Sequence, residues 1–283
     1  MTIAVTAATG HLGTLVIDSL LTKAPADQIV AIARNPEKAR SLAAKGVDVR
    51  IASYDDRAAL TEALAGVDTV LLISGSELGA RVAQHANVIE AAKAQGVGRI
   101  VYTSAPSADT STLPMAPEHL ATERHLASSG VDHVLLRNGW YNENYGQALA
   151  TAAQTGTLLT SAGDGRIASA ARKDFAEAAA TVLTTTGPLK PVYELTGDTA
   201  WTQDELAAVL SEVLGKPVVA QHVSTDEHIA ILQQVGLDEG TATFVAALDT
   251  ATARGDLAET TGELAGLIGH PTTPLIDSLR TLA

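Results

Sequence analysis

The chain has 283 residues, enough for one large domain or one domain with a smaller companion. A formal charge of −13 argues against nucleic acid and anionic membrane as partners, because no basic surplus exists to displace counterions. Cysteine is absent, which excludes disulfides, thiolate metal sites and a cysteine nucleophile.

The apolar run Ile3-Ala4-Val5 opens the chain as a strand with no charged leader ahead of it, so the expected location is the cytoplasm. No later apolar run exceeds strand length, and no membrane association is expected. The run leads straight into Thr6-Ala7-Ala8-Thr9-Gly10-His11-Leu12-Gly13, after which Leu12, Leu15, Val16 and Leu20 recur at helical spacing. A glycine-rich turn between a first strand and a first helix reads as a phosphate-binding turn, in which backbone N–H groups at a helix N-terminus close on a pyrophosphate. The pattern is a Gly-x-x-Gly-x-x-Gly variant whose first position here is Ala7. Where that position needs positive φ, alanine costs about 1 kcal/mol.

Residues 29–32 read as a short buried strand, followed by Asn35 as N-cap and Pro36 at the first helical position. Further strands are expected at 47–51, 69–73, 99–103 and 132–136, with helices at 58–64, 82–94 and 117–128 between them. The loop 104–116 is long for a strand-to-helix connection, which marks it as functional. Alternation at these spacings demands parallel pairing and right-handed crossovers, so the expected fold is a doubly wound α/β sheet of Rossmann type. Beyond Tyr145 the alternation fades. A helix at 173–184 and strands at 192–195 and 217–223 remain legible, and Thr202/Glu205, Ser224/Glu227 and Thr260/Glu263 read as capping boxes opening three helices. We expect a nucleotide-binding domain over residues 1–150, to which the chain returns around 174–200, and a smaller, mostly helical substrate lobe over 151–283.

The second strand ends in Arg34, about twenty residues beyond Gly13, with no acidic residue at its tip. An acid there binds the ribose hydroxyls of NAD, whereas a base accommodates the 2′-phosphate of NADP, so the expected cofactor is NADP(H). A solvated arginine at a helix start is the alternative.

No tyrosine has a lysine four residues on, so the proton-donating pair of ordinary short-chain reductases is missing. On the corresponding helix His119 stands one turn from Glu123; it is a candidate proton donor or simply a helix residue paired with Glu123. His125 is rotated off that face, which argues against a metal site. Reducing a simple ketone without a positioned acid is difficult, whereas a quinone-like acceptor yields a delocalised anion that water can protonate. Trp140, Tyr141 and Tyr145 could wall such a ring by stacking, with Tyr141 the candidate nearest the chemistry, or could pack between lobes. No Gly-x-Ser-x-Gly elbow supports serine hydrolysis.

The segments Ala31-Ile32-Ala33-Arg34-Asn35-Pro36, Leu72-Ile73-Ser74, Leu136-Arg137-Asn138-Gly139-Trp140-Tyr141, Ile167-Ala168-Ser169-Ala170 and Leu267-Ile268-Gly269-His270-Pro271-Thr272-Thr273 together resemble the NmrA-like group of atypical short-chain dehydrogenases/reductases, and within it the bacterial NAD(P)H:quinone oxidoreductase type 2 branch. The resemblance implies a two-lobed protein with NADPH in the cleft and quinones as acceptors. By position it assigns cofactor contacts to Ala7, Ala8, Thr9, Gly10, His11, Leu12 and Gly13, to Arg34, to Ser74, Gly75 and Ser76, to Asn138, Gly139, Trp140, Tyr141, Asn142 and Glu143, and to Arg172. Gly75 replaces a more usual serine. The leading expectation is an NADPH-dependent reductase of small quinone-like molecules, with triphenylmethane-type dyes close behind, acting as a possible homo-oligomer. The rival is a redox-sensing regulator that binds NADP(H) without turnover. An isomerase or ether reductase of this scaffold would want a lysine on the 117–128 helix, where there is none.

Overall fold

Short apolar runs alternating with helices suit a parallel sheet covered by helices on both faces, and the computed structural model, which describes residues 1–283, builds such a sheet. Strand β1 (Ile3–Val5) leads through α1 (His11–Leu21) to β2 (Ile29–Ala33), then α2 (Pro36–Ala43), β3 (Asp48–Ile51), α3 (Arg57–Ala63) and β4 (Thr69–Leu72). The chain continues through α4 (Arg81–Ala94), β5 (Arg99–Ser104), α5 (Ala116–Ser129) and β6 (Asp132–Asn138). The sheet order is β3-β2-β1-β4-β5-β6, closed on the far side by a seventh strand, β8, described below. Every pairing is parallel; Ala4 stands beside Val30 on one side and Val70 on the other.

Successive side chains of β1 point to opposite faces, and the two faces carry separate cores. Ile3 and Val5 join Val16, Ile17 and Leu20 of α1, while Ala4 joins Leu60 of α3 and Val88 and Ile89 of α4. Each fully buried Leu or Ile in these layers contributes about 1.5–3 kcal/mol. Helix α2 starts where the sequence expects: the Asn35 side chain accepts from the N–H groups of Glu37 (2.9 Å) and Lys38 (3.1 Å), and Pro36 follows as the first helical residue.

After β6 come α6 (Gly146–Thr155), β7 (Thr157–Thr160), α7 (Arg172–Thr184) and β8 (Val192–Leu195). Helix α7 packs beside α1, and β8 pairs with β6, so both lie with the main sheet. The remainder, α8 (Gln203–Leu214), β9 (Val219–His222), α9 (Thr225–Gln234), α10 (Glu239–Ala253), α11 (Glu263–Ile268) and α12 (Leu275–Arg280), is mostly helical, with β9 pairing β7. A third core of Leu149, Leu158, Trp201, Leu206 and Leu210 holds this lobe.

Two of the three expected capping boxes form, at Thr202/Glu205 and Ser224/Glu227. The third does not. Gly262, at φ 70°, is the residue before α11, and the Glu263 carboxylate turns away to accept from Lys190 Nζ and the Glu194 N–H, both at 2.8 Å. A tertiary ion pair thus outcompetes the local reciprocal bond.

Candidate dinucleotide site

The strand order reverses between β1 and β4, which opens a crevice at the carboxyl ends of the strands. The turn after β1 lies at its floor. Ala7 adopts φ 48°, so the position that the glycine pattern leaves to alanine is indeed left-handed. The turn is fixed by Ala8 N–H to Ile32 O (3.1 Å) and Gly10 N–H to Ala7 O (2.9 Å). A Cβ at Gly13 would lie 2.4 Å from Ala7 O, so only glycine lets α1 come this close to the turn. Gly10 provides no side-chain cap to α1, and no acid stands in the first turn. The first N–H groups of α1 therefore remain as an uncompensated positive end.

The resulting cleft, about 600 Å³, is lined at its centre by Ala7, Thr9, Gly10, His11, Leu12 and Gly13. Arg34, Asn35 and Lys38 line it from the β2–α2 junction, and Tyr54 and Asp55 from the end of β3. Ser74, Gly75, Ser76 and Glu77 follow β4 along the opposite lip, and Thr103, Tyr141 and Arg172 lie beyond them. The Tyr54 hydroxyl donates to Ile73 O at 2.7 Å and meets Thr6 Oγ1 at 2.5 Å, pinning the β3–α3 loop to the crevice. Burial pushes this hydroxyl well above the usual tyrosine range, so it stays protonated.

The stretch after β6 divides. Tyr141 faces the cleft, edge-on to Phe175 at 5.1 Å between centroids, with the Arg172 guanidinium 4.8 Å from its ring centre. Asn138 is buried; its Nδ2 donates to the Tyr141 hydroxyl at 3.3 Å, and its Oδ1 has no partner. Gly139 packs against the Leu195 carbonyl, which a Cβ would approach to 2.9 Å. Trp140 packs into the core of the smaller lobe, and Tyr145 lies edge-on to Trp201 at 5.0 Å. Of the three expected aromatics, then, only Tyr141 reaches the cleft. Fully buried Asn142 accepts from Ser169 Oγ and donates to Ser278 Oγ (2.9 Å), tying three distant segments together. Glu143 accepts the Arg172 N–H at 3.0 Å with both oxygens, an anion placed at the start of α7. Ala8 is fully buried beneath the turn.

His119 is not among the residues lining the cleft. It is buried on α5, its Nδ1 2.8 Å from the Tyr102 hydroxyl, and desolvation followed by the Arg81 charge lowers its pKa to about 3. Nor is it paired with Glu123, whose oxygens accept from Arg137 at 2.9 and 2.7 Å and from Ser104 Oγ at 2.6 Å. His125 lies 3.4 Å from Glu90 instead. The expectation of a surface pair on this helix is corrected accordingly: His119 is bonded to Tyr102, and Glu123 to Arg137 and Ser104.

Sequence reasoning missed Lys38, Tyr54, Asp55, Glu77 and Gln84 among the residues lining the cleft. Lys38 carried a signal, since a base in the first turn of a helix opposes the dipole and wants another reason to be there. Tyr54, Asp55 and Glu77 sit on loops, and Gln84 on α4, whose approach to the crevice only the folded chain reveals.

The family model described as NAD(P)H-binding matches residues 7–186, from the glycine turn to the end of α7. The chain belongs to that family. Within it, quinone oxidoreductase 2 of Escherichia coli is 52% identical over 280 residues, covering 99% of this chain and 98% of that protein. The crystal structure of the E. coli NADPH-dependent enzyme complexed with NADPH superposes with a TM-score of 0.96 over 99% of both chains. The Citrobacter triphenylmethane reductase, solved in complex with NADP(H), follows at 42% identity and a TM-score of 0.94 over the whole of both chains. An NmrA-like family domain-containing oxidoreductase of Aspergillus flavus is 30% identical over 98% of this NAD(P)H-binding chain and 94% of its own length. No helix of the protein is long and apolar enough to cross a membrane.

Proposed function

We propose that the protein binds NADPH in this cleft and passes hydride to quinones or similar conjugated acceptors. The residues fit the dinucleotide: the uncapped start of α1 and the Gly13 contact suit a pyrophosphate, and Arg34 with Lys38 suits a 2′-phosphate. When bound, the dinucleotide supplies the hydride. Toward that end of the cleft Tyr141 and Arg172 form a wall that orients a flat ring.

One observation carries the choice of acceptor. The two groups that α5 offers where a reductase would hold its acid, His119 and Glu123, are turned inward and consumed by Tyr102, Arg137 and Ser104. An acceptor whose reduced anion is delocalised needs no such acid, whereas a simple ketone does. Full-length similarity to quinone oxidoreductase 2 supports the same reading. Similarity to the triphenylmethane reductase supports conjugated dyes as a second acceptor class.

The test is steady-state oxidation of NADPH with benzoquinones, naphthoquinones, triphenylmethane dyes and simple ketones, after a binding titration without acceptor. Turnover with quinones and not ketones is expected. Tight binding with no turnover for any acceptor would instead identify a redox-sensing regulator.

A further inference from the structure

Four side chains from four segments make a continuous polar strap over the adenine end of the cleft. Arg34 Nη1, at the tip of β2, lies 3.3 Å from Glu77 Oε1 on the loop after β4. Gln84 Nε2, on α4, donates to Glu77 Oε2 at 3.0 Å and to Asp55 Oδ1 at 3.1 Å. Gly75 leaves room for the Gln84 side chain, whose Oε1 a Cβ there would approach to 3.2 Å. The loop bearing Glu77 is held from below: Arg81 donates to Gly75 O (2.7 Å) and to Glu118 (2.8 Å), and the Gly75 N–H donates to His85 Nε2 (2.9 Å). The Glu77 carboxylate is thus presented to Arg34 by a braced support.

We infer that Glu77 is a specificity-determining residue that moderates the preference for a 2′-phosphorylated dinucleotide which Arg34 creates; the inference rests on the dinucleotide reading above. Without ligand, the carboxylate neutralises Arg34. A 2′-phosphate must take the guanidinium from it and then remain beside a second negative group, which costs affinity. A 2′-hydroxyl is a donor, and the same carboxylate can accept from it. Glu77 therefore weakens NADPH and favours NADH, drawing the two affinities together.

The experiment is fluorescence titration of the full chain with NADPH and NADH, with 2′,5′-ADP and 5′-AMP as fragment probes, in wild type and Glu77→Gln. Glutamine keeps a polar contact to Gln84, and position 77 is exposed, so folding is not at stake. The Kd ratio of NADH to NADPH should rise about fivefold in Glu77→Gln at low salt, the scale of an exposed ion pair, and the gain should shrink as salt is raised. 2′,5′-ADP should tighten likewise, and 5′-AMP should not. An unchanged ratio, or equal tightening of all four ligands, would overturn the inference. A wild-type protein that binds neither dinucleotide would sink the dinucleotide reading itself, an outcome distinct from either.

Discussion

Ala7 holds φ at 48°, where an L side chain crowds its own backbone and glycine does not. Its neighbours fix that conformation: Gly10 N–H bonds back to Ala7 O, and Gly13 packs against the same carbonyl. Ala7→Gly should therefore raise stability by up to about 1 kcal/mol, offset in part by the greater freedom of glycine in the unfolded chain. Urea unfolding midpoints would register it, and a lowered midpoint would mean that the turn is not strained. Gly13→Ala should do the reverse and weaken dinucleotide binding, because the methyl has nowhere to go without moving α1. At the other end of the cleft, Arg34→Ala should weaken NADPH about tenfold or more, the scale of a lost charge-assisted contact, and leave NADH nearly unchanged. Titration with both cofactors decides this, and equal loss for both would refute the phosphate assignment. Of these residues, the glycine turn and Arg34 were legible in the chain because fixed spacing from a strand end dictates their place. Glu77 and Gln84 were not, since Glu77 reaches Arg34, and Gln84 reaches Glu77, only after separate segments of the chain converge.

At the scale of elements, the long loop between β5 and α5 is held by one cation. Arg137, at the end of β6, donates to Glu123 on α5 through two nitrogens, to Glu194 on β8 at 2.9 Å and to Asp109 in the loop at 2.8 Å. Glu194 also accepts the N–H of Ser107, whose φ of 45° is a second left-handed residue other than glycine. The carboxylates hold the guanidinium above even its ordinary range, so it never loses its charge. Arg137→Met should cost about 3–5 kcal/mol, chiefly because Glu123 is left buried without a counter-ion. The double variant Arg137→Met/Glu123→Leu should recover much of that loss in the same denaturant titration; no recovery would mean that packing, not charge, is at issue. Helix starts were legible where capping is local, as at Asn35, Thr202 and Ser224. They were illegible where a side chain had a better distant partner, as Glu263 does in Lys190 and Glu194. Helix α10 escaped notice because its buried face is mostly alanine, and α6 because it buries only Leu149 and Ala152, which leaves little apolar stripe to read. Strand β7 is four residues long and pairs with β9 some sixty positions away, a contact that no local pattern announces.

For the molecule as a whole, the alternation of strands and helices through residue 138 was set by hydrophobic period and spacing, and six of the seven strands of the sheet follow from it, with β8 added from beyond. What spacing could not supply is the polar layer joining that sheet to its outer helices. His85 on α4 and His119 on α5 are buried, edge-on and tilted respectively to Tyr102 of β5. Because the Gly75 N–H can only donate to His85 Nε2, the His85 proton sits on Nδ1 and goes to Thr122 Oγ1 at 3.0 Å. Desolvation first lowers the pKa of each histidine to about 3; nearby Arg81 adds to this in both, and His119 adds to it in His85. A pKa depressed below its unfolded value of 6.5 contributes stability that is present above pH 6.5 and lost as pH falls from 6.5 toward 3. The loss is at most about 1.4 kcal/mol per pH unit for each ring. Asp174 works in the opposite sense, since burial raises its pKa and it favours the folded state as pH falls. His270, whose pKa the Pro271 carbonyl and Glu177 raise, also favours the folded state as pH falls, but it is exposed, so between pH 7.5 and 5.5 the two buried histidines should dominate. Urea unfolding should show lower stability at pH 5.5. His119→Gln, which retains a polar partner for Tyr102, should flatten the dependence by about half. Protonation of His85 also removes the acceptor of the Gly75 N–H, so acid should loosen the loop that lines the dinucleotide cleft before the sheet itself unfolds. Amide exchange at Gly75 and Glu77, compared with exchange at Val101, would show whether the loop opens first; simultaneous exchange at all three would mean that the histidines brace only the global fold.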